Sequence, residues 1–130
     1  MTARPVPVTD AAPIARPLAA QRRSTLTLLV LTLRPEQWTK NFLVFAGVLF
    51  SGRLRDLGAV AAALGTFGVF CALSSTVYIV NDVADRRADQ QHPLKCMRPI
   101  ACGELAPGVA LITAILLAVA ALIAAFSGRW

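Results

Sequence analysis

The stretch from Asn81 to Gly103 reads N-D-V-A-D-R-R-A-D-Q-Q-H-P-L-K-C-M-R-P-I-A-C-G. It contains three of the chain's seven acidic residues, four of its thirteen basic residues and its single histidine. A long run without a charged residue lies before it, and another begins just after it. A dense group of charges between two apolar runs is typical of a polar loop at a membrane surface.

The two flanking runs cover residues 58–80 and 105–128 and carry no charged side chain. At a rise of about 1.5 Å per residue, either run as a helix would cross the roughly 30 Å hydrocarbon core of a bilayer. The chain has 130 residues and is 56% hydrophobic. A soluble domain of this size could not bury two such runs, so the sequence predicts an all-α, polytopic integral membrane protein.

The residues before the first run predict one further span and an extended arm. Arg34-Pro35 interrupts an apolar segment, because proline disfavours helical geometry in the residue before it and suits the first turn of a new helix. We expect a short interfacial helix over 24–33 and a span over about 35–52, which gives about three transmembrane helices in a domain of residues 24–130. Residues 1–23 are rich in proline and arginine and predict a disordered arm.

The positions of the basic residues predict the orientation in the membrane. Lysine and arginine are frequent before the first span and in the loop after the second, whereas the intervening turn carries only Arg53 and Arg55. The positive-inside rule therefore predicts a multi-pass protein of the cell membrane with its N-terminus and the 81–103 loop in the cytoplasm. The basic residues do not alternate with aromatic ones in a polar domain, so no nucleic-acid partner is expected.

The spacing of the acidic residues in the loop indicates a metal site. Asp82, Asp85 and Asp89 follow an i, i+3, i+7 pattern, which places them on one face if the second helix continues through them. Three carboxylates this close repel one another at a helix C-terminus, where negative charge is already disfavoured. A divalent cation would remove the conflict, and oxygen ligands favour Mg²⁺ or Mn²⁺. The amide of Asn81 would orient a ligand or a carboxylate.

Basic residues follow the acidic ones and suit phosphate. His92-Pro93 predicts the end of the helix, and a structural role for His92 is favoured over a catalytic one. Lys95 offers a mobile charge and Arg98 a bidentate fork, and both bind phosphate oxygens well. Acids for a metal followed by bases for phosphate predict a metal–diphosphate site, where diphosphate leaves an activated carbon.

Two alternatives remain open on spacing alone. The 81–103 segment is also consistent with a solvated loop whose basic residues pair with its aspartates and with Glu104. Near the first span, Trp38 and Lys40 are consistent with anchoring at the membrane interface. The other interpretation of the same residues is that Lys40 and Asn41 face a polar cavity instead of lipid.

The pattern N-D-x-x-D-x-x-x-D over residues 81–89 resembles the first aspartate-rich motif of the UbiA superfamily of intramembrane prenyltransferases. The following His92-Pro93, Lys95, Arg98-Pro99-Ile100 and Gly103 extend the resemblance. It implies the N-terminal part of a bundle of about nine transmembrane helices around a central cavity. By this resemblance the three aspartates would bind Mg²⁺ and diphosphate with support from Asn81.

A second stretch, R-P-E-Q-W-T-K-N over residues 34–41, resembles the branch of the superfamily that transfers 5-phosphoribose from phosphoribosyl diphosphate to decaprenyl phosphate for arabinan synthesis. The resemblance implies that Lys40 and Asn41 line the substrate cavity and that Lys40, Lys95 and Arg98 bind phosphate groups. The acceptor would be a lipid phosphate oxygen, which is already anionic and requires no dedicated base.

The resemblance covers residues 25–130 and the first of two aspartate-rich motifs of the superfamily. It therefore implies a truncated chain with little activity of its own, or one completed by a partner chain that supplies further helices. The alternatives are a prenyltransferase that acts on an aromatic or quinone precursor, and a small membrane protein without enzymatic activity.

Overall fold

The computed structural model describes residues 23–128, and these residues form helices and turns without a strand. The disordered arm predicted for residues 1–23 lies, apart from Arg23, outside the described residues. In chain order the elements are α1 (Thr25–Leu33), a 3₁₀-helix (Pro35–Val44), α2 (Phe45–Phe50), α3 (Leu57–Ala84), α4 (Arg86–Gln91), a 3₁₀ turn (Lys95–Met97) and α5 (Pro107–Ser127).

The long helices α3 and α5 match the second and third predicted spans. Both are long and apolar enough to cross a membrane, and little of either is buried within the protein. Apolar side chains of α5 such as Ile115 and Phe126 are 61% and 89% exposed, which is incompatible with a helix in the core of a soluble domain. The all-α membrane class predicted from the sequence is therefore confirmed.

The first predicted span differs from the expectation of one α-helix over 35–52. The segment is a 3₁₀-helix over Pro35–Val44 followed by the short α2, so only two described helices meet the length expected of a membrane span. A 3₁₀-helix rises about 2.0 Å per residue, so the two pieces together still extend roughly 29 Å.

Polar contacts with α3 explain why this segment is wound more tightly. In a 3₁₀-helix residues three apart eclipse each other, so Trp38 and Asn41 lie in one line along α3. Trp38 donates a hydrogen bond to Ser75 over 3.0 Å, and the Asn41 amide donates to Ser74 over 3.4 Å. These hydrogen bonds satisfy polar groups in a lipid environment, and an α-helix would rotate the two side chains apart.

The contact between α3 and α5 depends on alanines of α5. Ala110, Ala114 and Ala121 are at most 3% exposed, and the Thr76 hydroxyl donates to the Ala114 carbonyl oxygen over 3.3 Å. Small side chains let the two helix backbones approach closely. Gly68 of α3 does not make such a close helix contact, because a Cβ added there would meet no neighbouring atom within 4 Å.

The residues between α4 and α5 fold back against the ends of the two long helices. Ile100 and Leu105 are buried in one apolar cluster with Ile79 of α3 and with Ala110 and Ala114 of α5. The turn closes through a hydrogen bond from the Leu105 amide to the Pro99 carbonyl oxygen, and Gly103 adopts a φ of 83° that favours glycine. The loop is therefore a packed cap on the helix ends.

At the opposite end of α3 from the packed cap, Asp56 is the N-cap residue of the helix. Its carboxylate accepts hydrogen bonds from Arg53 and from the Ala59 amide, and these contacts lower the pKa of Asp56 below its ordinary value of 3.8. The stabilisation is present above that ordinary value and is lost as the pH falls through the lowered pKa.

Candidate functional site

The three aspartates of the predicted metal motif lie in two different environments. Helix α3 continues through Asp82 and ends at Ala84, and the chain bends at Asp85 before α4 begins. Asp82 and Asp89 are buried, whereas Asp85 and Asn81 are exposed. The break in the helix at Asp85 leaves this carboxylate exposed, while the other two are buried.

Arg98 connects the two buried carboxylates. Its Nη1 lies 3.1 Å from Oδ1 of Asp82 and 2.7 Å from Oδ2 of Asp89. The Nζ of Lys95 lies 3.9 Å from Oδ1 of Asp89. The sequence predicted that Lys95 and Arg98 lie near the aspartates, and the structure brings all four side chains together.

A second arginine reaches the same site from 48 residues upstream. Nη2 of Arg34 lies 2.5 Å from Oδ1 of Asp82, and the guanidinium lies over the Tyr78 ring at 4.9 Å. Arg34 was predicted to mark a helix break and to begin the 34–41 stretch, but no role in the site was predicted for it. The available signal was its position at the start of the R-P-x-Q-W-x-K-N stretch.

These contacts bear on both interpretations of the 81–103 segment. The repulsion between the two buried carboxylates is offset, because three cationic groups surround them. The ion pairs of Arg98 and Lys95 with the aspartates are those that the solvated-loop alternative predicts, but Asp82, Asp89 and the cap residue Ile100 are 5%, 2% and 1% exposed and are therefore not solvated. Of the other basic residues, Arg86 donates to the Ile100 carbonyl oxygen over 3.2 Å.

Lys40 and Asn41 lie away from the aspartates. The Asn41 amide contacts Cys71 and Ser74 of α3, about two to three helical turns from Asp82, or roughly 13 Å at 1.5 Å per residue. Lys40 lines a small cavity of about 300 Å³ with Asn41 and Phe70. Both residues border a cavity, but the described residues do not bring them to the carboxylates.

His92 ends α4, as the sequence predicted. Its Nδ1 accepts hydrogen bonds from the backbone amides of Leu94 and Lys95 over 3.2 and 3.3 Å. The exposed imidazole therefore shapes the turn that leads to Lys95, which is a structural role.

Carboxylate oxygens, which Asp82 and Asp89 supply, are the protein ligands that the predicted Mg²⁺ prefers. Between residues 23 and 128 no three acidic, histidine or cysteine side chains come together as a metal site. Asp82 and Asp89 nevertheless converge on a single cationic nitrogen, and Mg²⁺ usually takes only one or two carboxylates with water and phosphate oxygens. Oδ2 of Asp82 makes no hydrogen bond with residues 23–128 and is not fully buried. A divalent cation bound by both carboxylates would take the place of Arg98 Nη1, which contacts both of them.

The fold and the charged cluster define a class: a helical membrane protein with paired carboxylates and cationic side chains at the end of its spans. The model of the UbiA prenyltransferase family matches residues 40–130. The chain belongs to the UbiA prenyltransferase family.

Several curated proteins are similar to this chain. Decaprenyl-phosphate phosphoribosyltransferase of Mycolicibacterium smegmatis is 42% identical over 113 residues, which are 84% of this chain and 36% of that protein. The Corynebacterium glutamicum protein of the same name is 44% identical over 94 residues, 68% of this chain and 27% of that protein. Nodulation protein NoeC of Azorhizobium caulinodans is 43% identical over 72 residues, 55% of this chain and 23% of that protein. The chain thus spans between about a quarter and a third of the length of these relatives.

Proposed function

We propose that this chain is part of a Mg²⁺-dependent transferase that moves 5-phosphoribose from phosphoribosyl diphosphate to decaprenyl phosphate, a reaction that serves arabinan synthesis in the cell wall. The observation that carries the proposal is the convergence of Asp82, Asp89, Arg98 and Lys95 at the ends of the membrane helices. The names of two relatives more than 40% identical to the chain support the choice of substrates.

The proposed reaction needs positioned charges and no proton transfer at the acceptor. An anionic oxygen of the lipid phosphate forms a bond to C1 of the ribose, and the C1–O bond to diphosphate breaks with its electron pair leaving on diphosphate. Lys95 and Arg98 would bind the diphosphate oxygens, because charge-assisted hydrogen bonds strengthen as that charge develops. Lys40 would bind a phosphate group further along the membrane cavity.

Asp82, Asp85 and Asp89 would hold Mg²⁺ together with the diphosphate. The bound ion would neutralise charge on the leaving group. Asp85 is exposed and has no ion-pair partner among the described residues, so its carboxylate requires no rearrangement before it binds. Asn81 would orient a carboxylate or a ligand beside it.

Binding of phosphoribosyl diphosphate to the detergent-solubilised chain tests this proposal. We expect binding to strengthen with Mg²⁺, and Asp85→Asn to reduce the Mg²⁺-dependent affinity by about tenfold, because one charged ligand is lost. Isothermal titration calorimetry with and without EDTA measures both effects. Asp56→Asn is the matched control, since Asp56 lies at the other end of α3.

The same assay separates the alternatives. Displacement of phosphoribosyl diphosphate by geranyl diphosphate at equal concentration would indicate a prenyltransferase for an aromatic or quinone precursor. If the affinity for phosphoribosyl diphosphate did not depend on Mg²⁺ and was unchanged in Asp85→Asn, the proposed metal role would be contradicted. Absence of binding by any diphosphate would favour a membrane protein without enzymatic activity.

We further propose that the 81–103 loop faces the cytoplasm. The exposed Cys102 provides a natural reporter, because Cys71 is buried within α3. A membrane-impermeant maleimide is expected to label the chain in inside-out vesicles and to leave it unlabelled in intact spheroplasts. The Cys96→Ser, Cys102→Ser double variant should lose the label. Equal labelling in intact spheroplasts would contradict the proposal and would indicate the opposite orientation.

A further inference from the structure

Arg34 is the only residue other than glycine with a positive φ between residues 23 and 128, at φ 52° and ψ 60°. This left-handed conformation is unfavourable for a residue with a Cβ, and it persists where the surrounding structure holds it. It arises because α1 ends at Leu33 and Pro35 begins the 3₁₀-helix, so a single residue must form the junction between the two helices. Such outliers are concentrated at functional sites.

A single buried hydroxyl holds the backbone on both sides of Arg34. Ser75 is 1% exposed, and its Oγ donates to the Leu33 carbonyl oxygen over 2.7 Å and accepts from Nε1 of Trp38 over 3.0 Å. Tyr78 and Asp82 lie on the same side of α3 as Ser75 and hold the guanidinium. One face of α3 therefore fixes both the turn and the direction of the side chain.

The guanidinium of Arg34 retains free donors after these contacts. Within residues 23–128, only Nη2 of Arg34 and only Nη1 of Arg98 form side-chain hydrogen bonds. No buried side-chain nitrogen or oxygen between residues 23 and 128 lacks a partner, so the other guanidinium nitrogens of both arginines are accessible. A guanidinium has five N–H donors in a planar fork that matches phosphate oxygens.

The charges of the cluster also favour an anion. Arg34, Arg98 and Lys95 supply three positive charges, and Asp82 and Asp89 supply two negative ones, which leaves a net charge of +1. Both arginines bind the same atom, Oδ1 of Asp82. That shared contact holds two like charges close together with free donors on each.

We propose that Arg34 is a phosphate-binding residue and forms, with Arg98, a two-arginine subsite that binds a phosphate or diphosphate group without a metal ion. Asp82 is the positioning residue of this pair through Oδ1, while its Oδ2 stays available to a cation. Ser75 positions Arg34 through the backbone. The subsite rests on the proposed function only for the identity of the phosphate ester it binds.

Binding of inorganic diphosphate in excess EDTA tests the subsite in the detergent-solubilised chain. Arg34→Gln removes the charge, and Arg34→Gly also removes it while accepting the left-handed backbone without strain. We expect both variants to bind diphosphate at least about tenfold more weakly than the unaltered chain, because charge-assisted hydrogen bonds are lost. Arg53→Gln is the control, since Arg53 pairs with Asp56 at the other end of α3, and should bind normally.

A stability measurement separates binding from folding. If Arg34 were merely structural, Arg34→Gly would bind diphosphate as the unaltered chain does at temperatures below its Tm, and the proposal would fail. No binding by the unaltered chain in EDTA would also overturn it. Ser75→Ala removes no charged group. It should weaken diphosphate binding only because Arg34 is no longer held in position.

Two competitors identify the source of the phosphate. Displacement of diphosphate by farnesyl phosphate would assign the subsite to the lipid acceptor, and displacement by phosphoribosyl diphosphate alone would assign it to the donor. The two proposals fail separately. If both Arg34 variants lose diphosphate binding in EDTA and Mg²⁺ has no effect on binding by the unaltered chain, the subsite is supported and the proposed function is contradicted. If both variants keep Mg²⁺-dependent binding of phosphoribosyl diphosphate, the proposed function is supported and the subsite is contradicted.

Discussion

Replacing Asp82 by alanine is expected to lower the free energy of unfolding by about 3 kcal/mol, because breaking a buried ion pair leaves its partners uncompensated. The Asp82 side chain is 6% exposed and lies between two guanidinium groups that are 20% and 29% exposed. Without the carboxylate, Arg34 and Arg98 repel each other at close range. Unfolding in mixed detergent micelles with EDTA measures the change in the absence of metal.

The sign of this effect distinguishes two accounts of the aspartate motif. If the metal-free aspartates mainly repelled one another, Asp82→Ala would stabilise the protein in EDTA. Asp85→Ala is the matched control, since Asp85 is exposed and its loss should change the free energy by no more than about 0.5 kcal/mol. Equal destabilisation by both substitutions would contradict the ion-pair account.

Replacing Ala114 by leucine is expected to lower the free energy of unfolding by about 2–3 kcal/mol, because the larger side chain overpacks a closed helix contact. Ala114 is 1% exposed, and its carbonyl oxygen accepts the Thr76 hydroxyl of α3 over 3.3 Å. The same apolar cluster holds Ile100, so separation of the helices should also displace Arg98 and weaken binding of diphosphate.

Ala120→Leu is the control for this substitution. Ala120 lies on the exposed side of α5 and presents its side chain away from α3, so leucine there should be tolerated within about 0.5 kcal/mol. The two variants have the same composition and differ only in the helix face that is enlarged. Similar unfolding curves for the two would show that α5 does not pack on α3 through this face.

The spans at 58–80 and 105–128 were predictable because their signal is local. An uncharged run of more than twenty residues has few alternatives to a membrane helix, whatever its neighbours are. The segment at 35–52 was predicted less well, since its winding depends on hydrogen bonds from Trp38 and Asn41 to residues of α3 more than thirty positions away.

The candidate site was predictable in its residues and less so in its geometry. The i, i+3, i+7 spacing identified the three aspartates, but the bend at Asp85 divides them into two buried carboxylates and one exposed. That bend accompanies contacts of α4 with the packed cap, including the hydrogen bond from Arg86 to the Ile100 carbonyl oxygen. The spacing of residues along a helix cannot predict such a contact.

The sequence by itself determined the membrane class, the family resemblance and the candidate charged residues of the 81–103 segment, because each depends on residues near one another in the chain. Only the tertiary structure decided that Arg34 joins Asp82 across 48 positions and that Arg98 bridges two carboxylates. Buried charges must find partners, since desolvation without one is costly. Which partner each charge finds is set by the packing of α1, the 3₁₀-helix and the cap against the end of α3.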